Sequence, residues 1–410
     1  MPDSRYLTAR QAAAALGISL DTLYAYVSRG MLRSEPAPGL TRARRYFRDD
    51  IERLKERKEL RREPEKASAR SLHWGSPVLE SSLTLIHDGH VYYRGRDAID
   101  LARNESLERV ASLLWTGEPD RADEIFRETQ IPDPEKLALL MNGIRELGPV
   151  ERCQVALAWA GSGDPSAYDL RPGSVALAGA RIVKLMASVI SGRAPAATID
   201  LTLGQAWTPR RAGGTTAIRS AMILCADHEL NVSAFTARCA ASAQATVYDV
   251  VAAGLSALKG RLHGGYTARV EALLDETASA GQAQQVVAAR LRRGEELPGF
   301  GHRLYPDGDP RARMLLSLAE SAGNAPAAKL AHALSNAGQT LTGQHPTLDF
   351  GLAALTRALR LPRGSALALF ALGRTIGWIA HAIEQYTSNQ LIRPRARYVG
   401  QFVAPPSGPG

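Results

Sequence analysis

A chain of 410 residues, 45% hydrophobic and 22% charged, has the make-up of a globular protein and the length for two or three domains. Its net charge of +9 is unevenly placed. Residues 1–70 hold 16 Lys and Arg against 10 Asp and Glu, so most of the excess sits in a small N-terminal part and points to a polyanionic partner.

The first predicted elements are two short helices about a tight turn. Thr8 caps a helix through Leu16, Gln11 completes a capping box, and Gly17 ends it. Ser19 caps a second helix over residues 20–28, closed by Gly30. Ala13, Leu16, Ile18, Leu23 and Val27 form the apolar set. A Pro/Gly turn (Pro36, Pro38, Gly39) and a basic run (Arg42, Arg44, Arg45) follow, then a third helix from about Asp49 carrying Ile51 and Leu54. The strings Leu7-Thr8-Ala9-Arg10, Ala15-Leu16-Gly17-Ile18-Ser19, Thr22-Leu23-Tyr24 and Arg29-Gly30-Met31-Leu32 resemble the MerR and excisionase group. That resemblance implies a winged helix-turn-helix domain over 1–58 with DNA as its partner. The exposed set on its second helix, Asp21, Thr22, Tyr24 and Arg29, is modest, because base pairing draws mainly on Arg, Asn and Gln. A non-DNA, dimer-clamping module is the competing reading.

A charged stretch over 59–74 reads as a linker. Alternating residues around Asp88-Gly89 predict a short hairpin. Beyond Asp97 the pattern is helical nearly throughout, with apolar faces at Val110/Leu113/Leu114, Ile182/Leu185/Met186/Ile190 and Val270/Leu273/Leu274. No leader is expected from the first residues, and the apolar stretch 366–383 is interrupted by Arg374 and His381. Three cysteines without a CxxC pair (Cys153, Cys225, Cys239) read as buried thiols of a reducing compartment. A cytoplasmic protein without a membrane partner is the expectation.

Four separated strings carry the chemistry. They are Ala226-Asp227-His228-Glu229 through Asn231, Leu262-His263-Gly264-Gly265, Gly299-Phe300-Gly301-His302-Arg303 through Asp309-Pro310-Arg311, and Leu348-Asp349-Phe350, with Arg374 and Arg393 beyond them. Taken singly, Asp349 would be a helix cap, His228 a satisfied core histidine and Arg393 part of a surface patch. The histidines are 35 and 39 residues apart and lack zinc-site spacing, so no metal is expected. An arginine inside the apolar helix around Arg374 must find an anion or bear a desolvation penalty, and a substrate carboxylate is a natural partner.

In order and residue type the strings resemble the citrate synthase family over residues 75 to 403. The resemblance implies a mainly α fold: a large helical domain from 75–267 and 356–403 and a smaller one over 268–355. It implies an acyl-coenzyme A and oxaloacetate as substrates, coenzyme A entering as a thioester and not as a cofactor, and a homodimer. Asp349 then matches the base that takes the methyl proton, His263 the donor to the thioester oxygen, and His302 the donor to the ketone oxygen. His228, Arg311 and Arg374 match oxaloacetate ligands, and Arg393 the arginine that reaches in from the second subunit. The Gly264-Gly265 pair is expected to let backbone approach ligand closely. Pro306-Asp307 departs from the family, where many members carry a basic residue for coenzyme A phosphates. 2-Methylcitrate synthesis from propionyl-coenzyme A, and a DNA-binding regulator with an enzyme-like sensor domain, are the alternatives.

Overall fold

The computed structural model describes residues 6–37, 43–48, 50, 51, 54, 79–127, 129–396 and 398–401. Its contacts divide the chain into two units, Met1–Glu80 and Ser81–Gly410.

The first unit begins with strand β1 (Tyr6–Thr8), followed by helices α1 (Ala9–Leu16) and α2 (Leu20–Ser28) and strands β2 (Ser34–Pro36) and β3 (Arg44–Phe47). The local signals work as read. Thr8 and Gln11 form the capping box, Gly17 takes a left-handed φ of 59°, and the Ser19 side chain accepts from Thr22 N–H. β2 and β3 make the wing, and β1 closes a sheet of order β1-β3-β2 with Leu7 opposite Tyr46. Ala12, Ala13, Leu16, Leu23, Leu32, Tyr46, Ile51 and Leu54 form its core, with Ile18 and Val27 packed against it. Ile51 and Leu54 are helical. Of the predicted third helix, Asp49 and residues 52, 53 and 55–58 lie outside the described residues, as do Arg42 and the 59–74 linker.

The second unit is mainly α. A small sheet opens it: β4 (Thr84–His87), β5 (His90–Tyr93) and β6 (Arg96–Asp97) in that order. The β4–β5 turn is Asp88-Gly89, both at positive φ (48° and 75°), which is the twist a two-residue hairpin requires. Sixteen residue ranges carry the helices used below. They begin with α3 (Ala98–Asn104), α4 (Leu107–Thr116), α5 (Ala122–Phe126), α6 (Pro134–Gly143), α7 (Pro149–Ser162), α8 (Pro172–Ser191) and α9 (Ile199–Trp207). They continue with α10 (Gly214–Cys225), α11 (Val232–Ser242), α12 (Val247–Leu258), α13 (Thr267–Glu276), α14 (Ala283–Arg292), α15 (Pro310–Ser321), α16 (Ala325–Thr342) and α17 (Leu348–Leu359). The last, α18 (Ser365–Ser388), is apolar all round and is the hub: α4, α7, α8, α10, α11, α12, α13 and α17 all pack on it.

Two glycines one turn apart on α18 let α10 come close. A Cβ on Gly373 would overlap the Met222 carbonyl, and one on Gly377 would overlap the Ala226 carbonyl. Trp115 anchors α4 by donating from Nε1 to the Ile376 carbonyl at 2.9 Å. By length and composition α8 and α18 could cross a bilayer, but both are largely buried inside this unit. Between residues 270 and 354 a second apolar cluster (including Val270, Leu273, Phe300, Leu334 and Phe350) gathers α13, α14, α16 and one face of α17. The opposite face of α17, through Leu348, Leu352 and Leu355, belongs to the main core. This helix start therefore sits where the two clusters meet.

Candidate active site

The first functional segment leaves the end of α10. Asp227 is fully buried, and its carboxylate accepts from Thr84 Oγ1 at 2.6 Å and from His381 Nε2 at 3.2 Å. The Tyr93 hydroxyl donates to backbone carbonyls of the same turn, Ile223 at 3.1 Å and Asp227 at 3.2 Å. Asn231 caps α11, its Oδ1 accepting from Ser233 and Ala234 N–H, while its Nδ2 donates to the His228 carbonyl at 3.2 Å. His228 is thereby fixed at both flanks. Its Nε2 lies 2.8 Å from the Tyr305 hydroxyl. Burial, then the charge of Arg311, holds its pKa well below the ordinary histidine value.

His263 follows α12. Its Nε2 is 2.8 Å from Ser233 Oγ, and its ring meets the edge of Phe370 at 6.0 Å. Burial, with Arg374 adding to it, lowers its pKa to about 4. A 3-10 turn, Gly264–Tyr266, separates it from α13. The Gly-Gly pair serves packing against α12, which differs from the expected approach of backbone to ligand. A Cβ on Gly264 would strike the Leu258 side chain, and one on Gly265 the Lys259 carbonyl.

The third segment is a loop with left-handed glycines at Gly299 (φ 84°) and Gly301 (φ 78°). It is tied to the chain just before α17: Gly301 N–H donates to the His345 carbonyl at 2.9 Å, and Thr347 N–H donates to the Gly299 carbonyl at 2.8 Å. Nδ1 of His302 accepts from Leu304 N–H at 3.2 Å, and burial with Arg311 lowers its pKa to about 4. The rings of His228 and His302 meet edge-on at 5.3 Å, and Tyr305 lies 5.6 and 5.0 Å from them. Arg311 sits 5.3 Å over Tyr305. Its guanidinium forms a buried fork with Asp309, Nε to Oδ1 at 3.0 Å and Nη2 to Oδ2 at 2.8 Å.

Asp349 is the second residue of α17. The cap position is Thr347, so a capping role for Asp349 is removed. Its Oδ1 is shielded from solvent and has no hydrogen-bond partner among the described residues. Desolvation raises its pKa to about 7, against the opposing pull of Arg311 and Arg374. Arg374, 1% exposed, donates from Nε to the Cys225 carbonyl at 2.7 Å and lies 4.9 Å over the Phe370 ring. No acidic side chain among the described residues pairs with it within 4 Å.

Six of the seven singled-out residues thus share one electrostatic neighbourhood. The seventh, Arg393, is exposed in the segment after α18. Tyr305, Ser233 and Asp309 have roles that the sequence reading missed. Only Asp309 left a signal, the Asp-Pro pair of a helix start. The arrangement offers one activated carboxylate, three neutral imidazoles and two buried guanidiniums. It suits removal of a carbon-bound proton and stabilisation of oxyanions beside a dicarboxylate.

Residues 72–395 match the family described as citrate synthase, C-terminal domain, and residues 6–59 match a helix-turn-helix domain. Citrate synthase 2 of Bacillus subtilis is 30% identical over 355 residues, covering 80% of this chain and 94% of its own length. 2-Methylcitrate synthase of Mycobacterium tuberculosis is 30% identical over 335 residues, covering 75% and 84%. Among solved structures, citrate synthase from Thermotoga maritima superposes with a TM-score of 0.70 at 26% identity, covering 81% of this chain and 96% of that one. A ternary complex of carboxymethyl coenzyme A and oxaloacetate with citrate synthase from Thermoplasma acidophilum gives 0.68 at 27% identity, covering 80% and 95%.

Proposed function

The chain belongs to the citrate synthase family and is a transferase of that type, and from this premise we propose that it joins acetyl-coenzyme A to oxaloacetate and hydrolyses the product to citrate and coenzyme A. The observation that carries the reading is Asp349, a desolvated carboxylate with a free buried oxygen and a pKa near 7 at the start of α17. A base of that strength works at neutral pH, where an ordinary aspartate is too weak.

Asp349 takes a proton from the acetyl methyl. The charge that develops on the thioester oxygen is met by His263. His263 donates through Nδ1 when the single Ser233 hydroxyl proton, which Asn231 Oδ1 also accepts at 2.8 Å, lies toward Nε2. The enol carbon then attacks the ketone carbon of oxaloacetate. His302 donates to the ketone oxygen through Nε2, since its Nδ1 already accepts from Leu304. Arg311 and Arg374 face the substrate carboxylates, and Arg393 of a second protomer completes the set. Water cleaves the thioester, and coenzyme A leaves as the thiol.

Support for acetyl- over propionyl-coenzyme A comes from the relatives named citrate synthase, but a 2-methylcitrate synthase stands among them. One methylene shifts discrimination by only about 1–3 kcal/mol. Parallel turnover with both thioesters, with products weighed by mass spectrometry, tests the choice. A higher kcat/KM for propionyl-coenzyme A overturns it. The homodimer is tested by mixing Asp349→Asn and Arg393→Ala subunits through unfolding and refolding. Mixed dimers regain one intact site, and no recovery counts against the shared arginine.

For the first unit we propose DNA contact. The support is the helix-turn-helix match and the basic excess of residues 1–70. Two wing arginines are partly engaged within the unit: Arg45 donates to Glu35 and lies 3.9 Å over Tyr6, and Arg44 donates to Ser34. Phosphate contact therefore has to compete with these bonds.

A further inference from the structure

We propose that the Tyr305 hydroxyl donates to Nε2 of His228 and holds that imidazole with its proton on Nδ1, so that Tyr305 is a positioning residue giving His228 and His302 opposite tautomers.

The argument is a count of protons. A phenol has one. The Tyr305 oxygen lies 2.8 Å from His228 Nε2, and this is its one hydrogen-bond partner among the described residues. Tyr305 is 2% exposed, so solvent offers no general alternative. Were His228 to donate from Nε2, the phenol proton would be buried without an acceptor, a loss comparable to a missing hydrogen bond. Burial keeps Tyr305 protonated by raising its pKa far above the ordinary phenol value. His228 is neutral for the reason given above, with Arg311, His302, Arg374 and His263 all opposing a second proton on its ring. A neutral imidazole carries a single N–H. If Nε2 accepts, the proton is on Nδ1.

His302 is set the other way. Its Nδ1 accepts from Leu304 N–H at 3.2 Å, which leaves its proton on Nε2. The two rings meet edge-on at 88° and share Tyr305. Two adjacent neutral histidines thus donate from different ring nitrogens. A dicarboxylate ketone, with oxygens in more than one direction, is the kind of acceptor such a pair fits. This consequence for substrate rests on the condensation reading; the tautomer itself does not.

The test uses full-length protein with 15N-labelled histidine and no substrate. The His228 resonances are identified by their loss in His228→Gln. The expected wild-type pattern is a protonated Nδ1 and a bare Nε2. In Tyr305→Phe the population shifts toward protonated Nε2, and KM for oxaloacetate rises about tenfold while KM for the acyl thioester stays within about twofold. A protonated Nε2 in the wild type overturns the proposal, as does an unchanged tautomer in Tyr305→Phe. A tautomer shift with unchanged oxaloacetate KM overturns the positioning role. Should Tyr305→Phe fail to fold, the wild-type spectrum decides alone. A protein with the expected spectrum and no condensation activity supports the tautomer and contradicts the proposed function.

Discussion

Asp309 fastens Arg311 and the segment of Asp349 to one carboxylate. Its two oxygens take the Arg311 fork, and Oδ2 also accepts from Leu348 N–H at 3.2 Å, one residue before Asp349. The starts of α15 and α17 are therefore held by the same group. Asp309→Asn is expected to leave a buried guanidinium without its counter-charge, at a cost of about 3–5 kcal/mol in stability. KM for oxaloacetate is expected to rise and kcat to fall together. Chemical denaturation and steady-state kinetics check both, and a change confined to stability would separate Asp309 from the site.

Asp349 has a folded-state pKa near 7 against an ordinary value of 3.8. The folded chain therefore holds this proton more tightly than the unfolded chain does. Folding stability from this group falls as pH rises from about 4 to about 7, and the loss is complete above that range. Asp349→Asn escapes the penalty. It is expected to melt higher than wild type at pH 8, by a few degrees, and equally at pH 4. Its turnover is expected to drop by several orders of magnitude, and wild-type kcat to rise with pH through about 7. Equal melting at pH 8 would contradict the buried, ionised base.

Gly377 allows the turn that carries His228 to sit against α18. A Cβ there would overlap the Ala226 carbonyl and lie 2.6 Å from Asp227 Oδ1. Gly377→Ala is expected to cost about 1–3 kcal/mol and to raise oxaloacetate KM by displacing His228. Gly281→Ala, which meets only Ser279 Oγ at 4.0 Å, serves as the control. Equal behaviour of the two variants would show that the close approach is not needed.

Local signals were legible in the sequence wherever the cause is local. The Thr8–Gln11 box, the Gly17 cap, the Asp88-Gly89 hairpin and the helical faces through Val110 and Ile182 depend on residues within a few positions. Asp349 was legible as a desolvated acid because its neighbours Leu348 and Phe350 are apolar. Partnerships across long separations were not. Tyr305 meets His228 from 77 residues away and Ser233 meets His263 from 30, and neither leaves a spacing pattern. Strand β1 is three residues long and forms only because β3 pairs with it. Gly264-Gly265 read as a ligand-facing turn because sequence cannot tell which backbone a glycine makes room for.

The N-terminal unit is expected to be separable from the chemistry. Removing residues 1–80 takes away none of the seven site residues, so kcat is expected to stay within about twofold. Full-length protein is expected to bind palindromic DNA with an affinity that falls steeply with salt. Filter binding at two salt concentrations and turnover of the truncated chain check the two halves. Lost turnover would make the unit part of the enzyme, and salt-insensitive or absent binding would remove DNA as its partner.

The most direct measurement is release of free thiol from acetyl-coenzyme A by the full-length protein, with and without oxaloacetate, beside the same assay on Asp349→Asn. The expected result is rapid release that requires oxaloacetate in the wild type and is abolished in the variant. Release that ignores oxaloacetate, or that survives in Asp349→Asn at a comparable rate, would contradict condensation driven by this carboxylate.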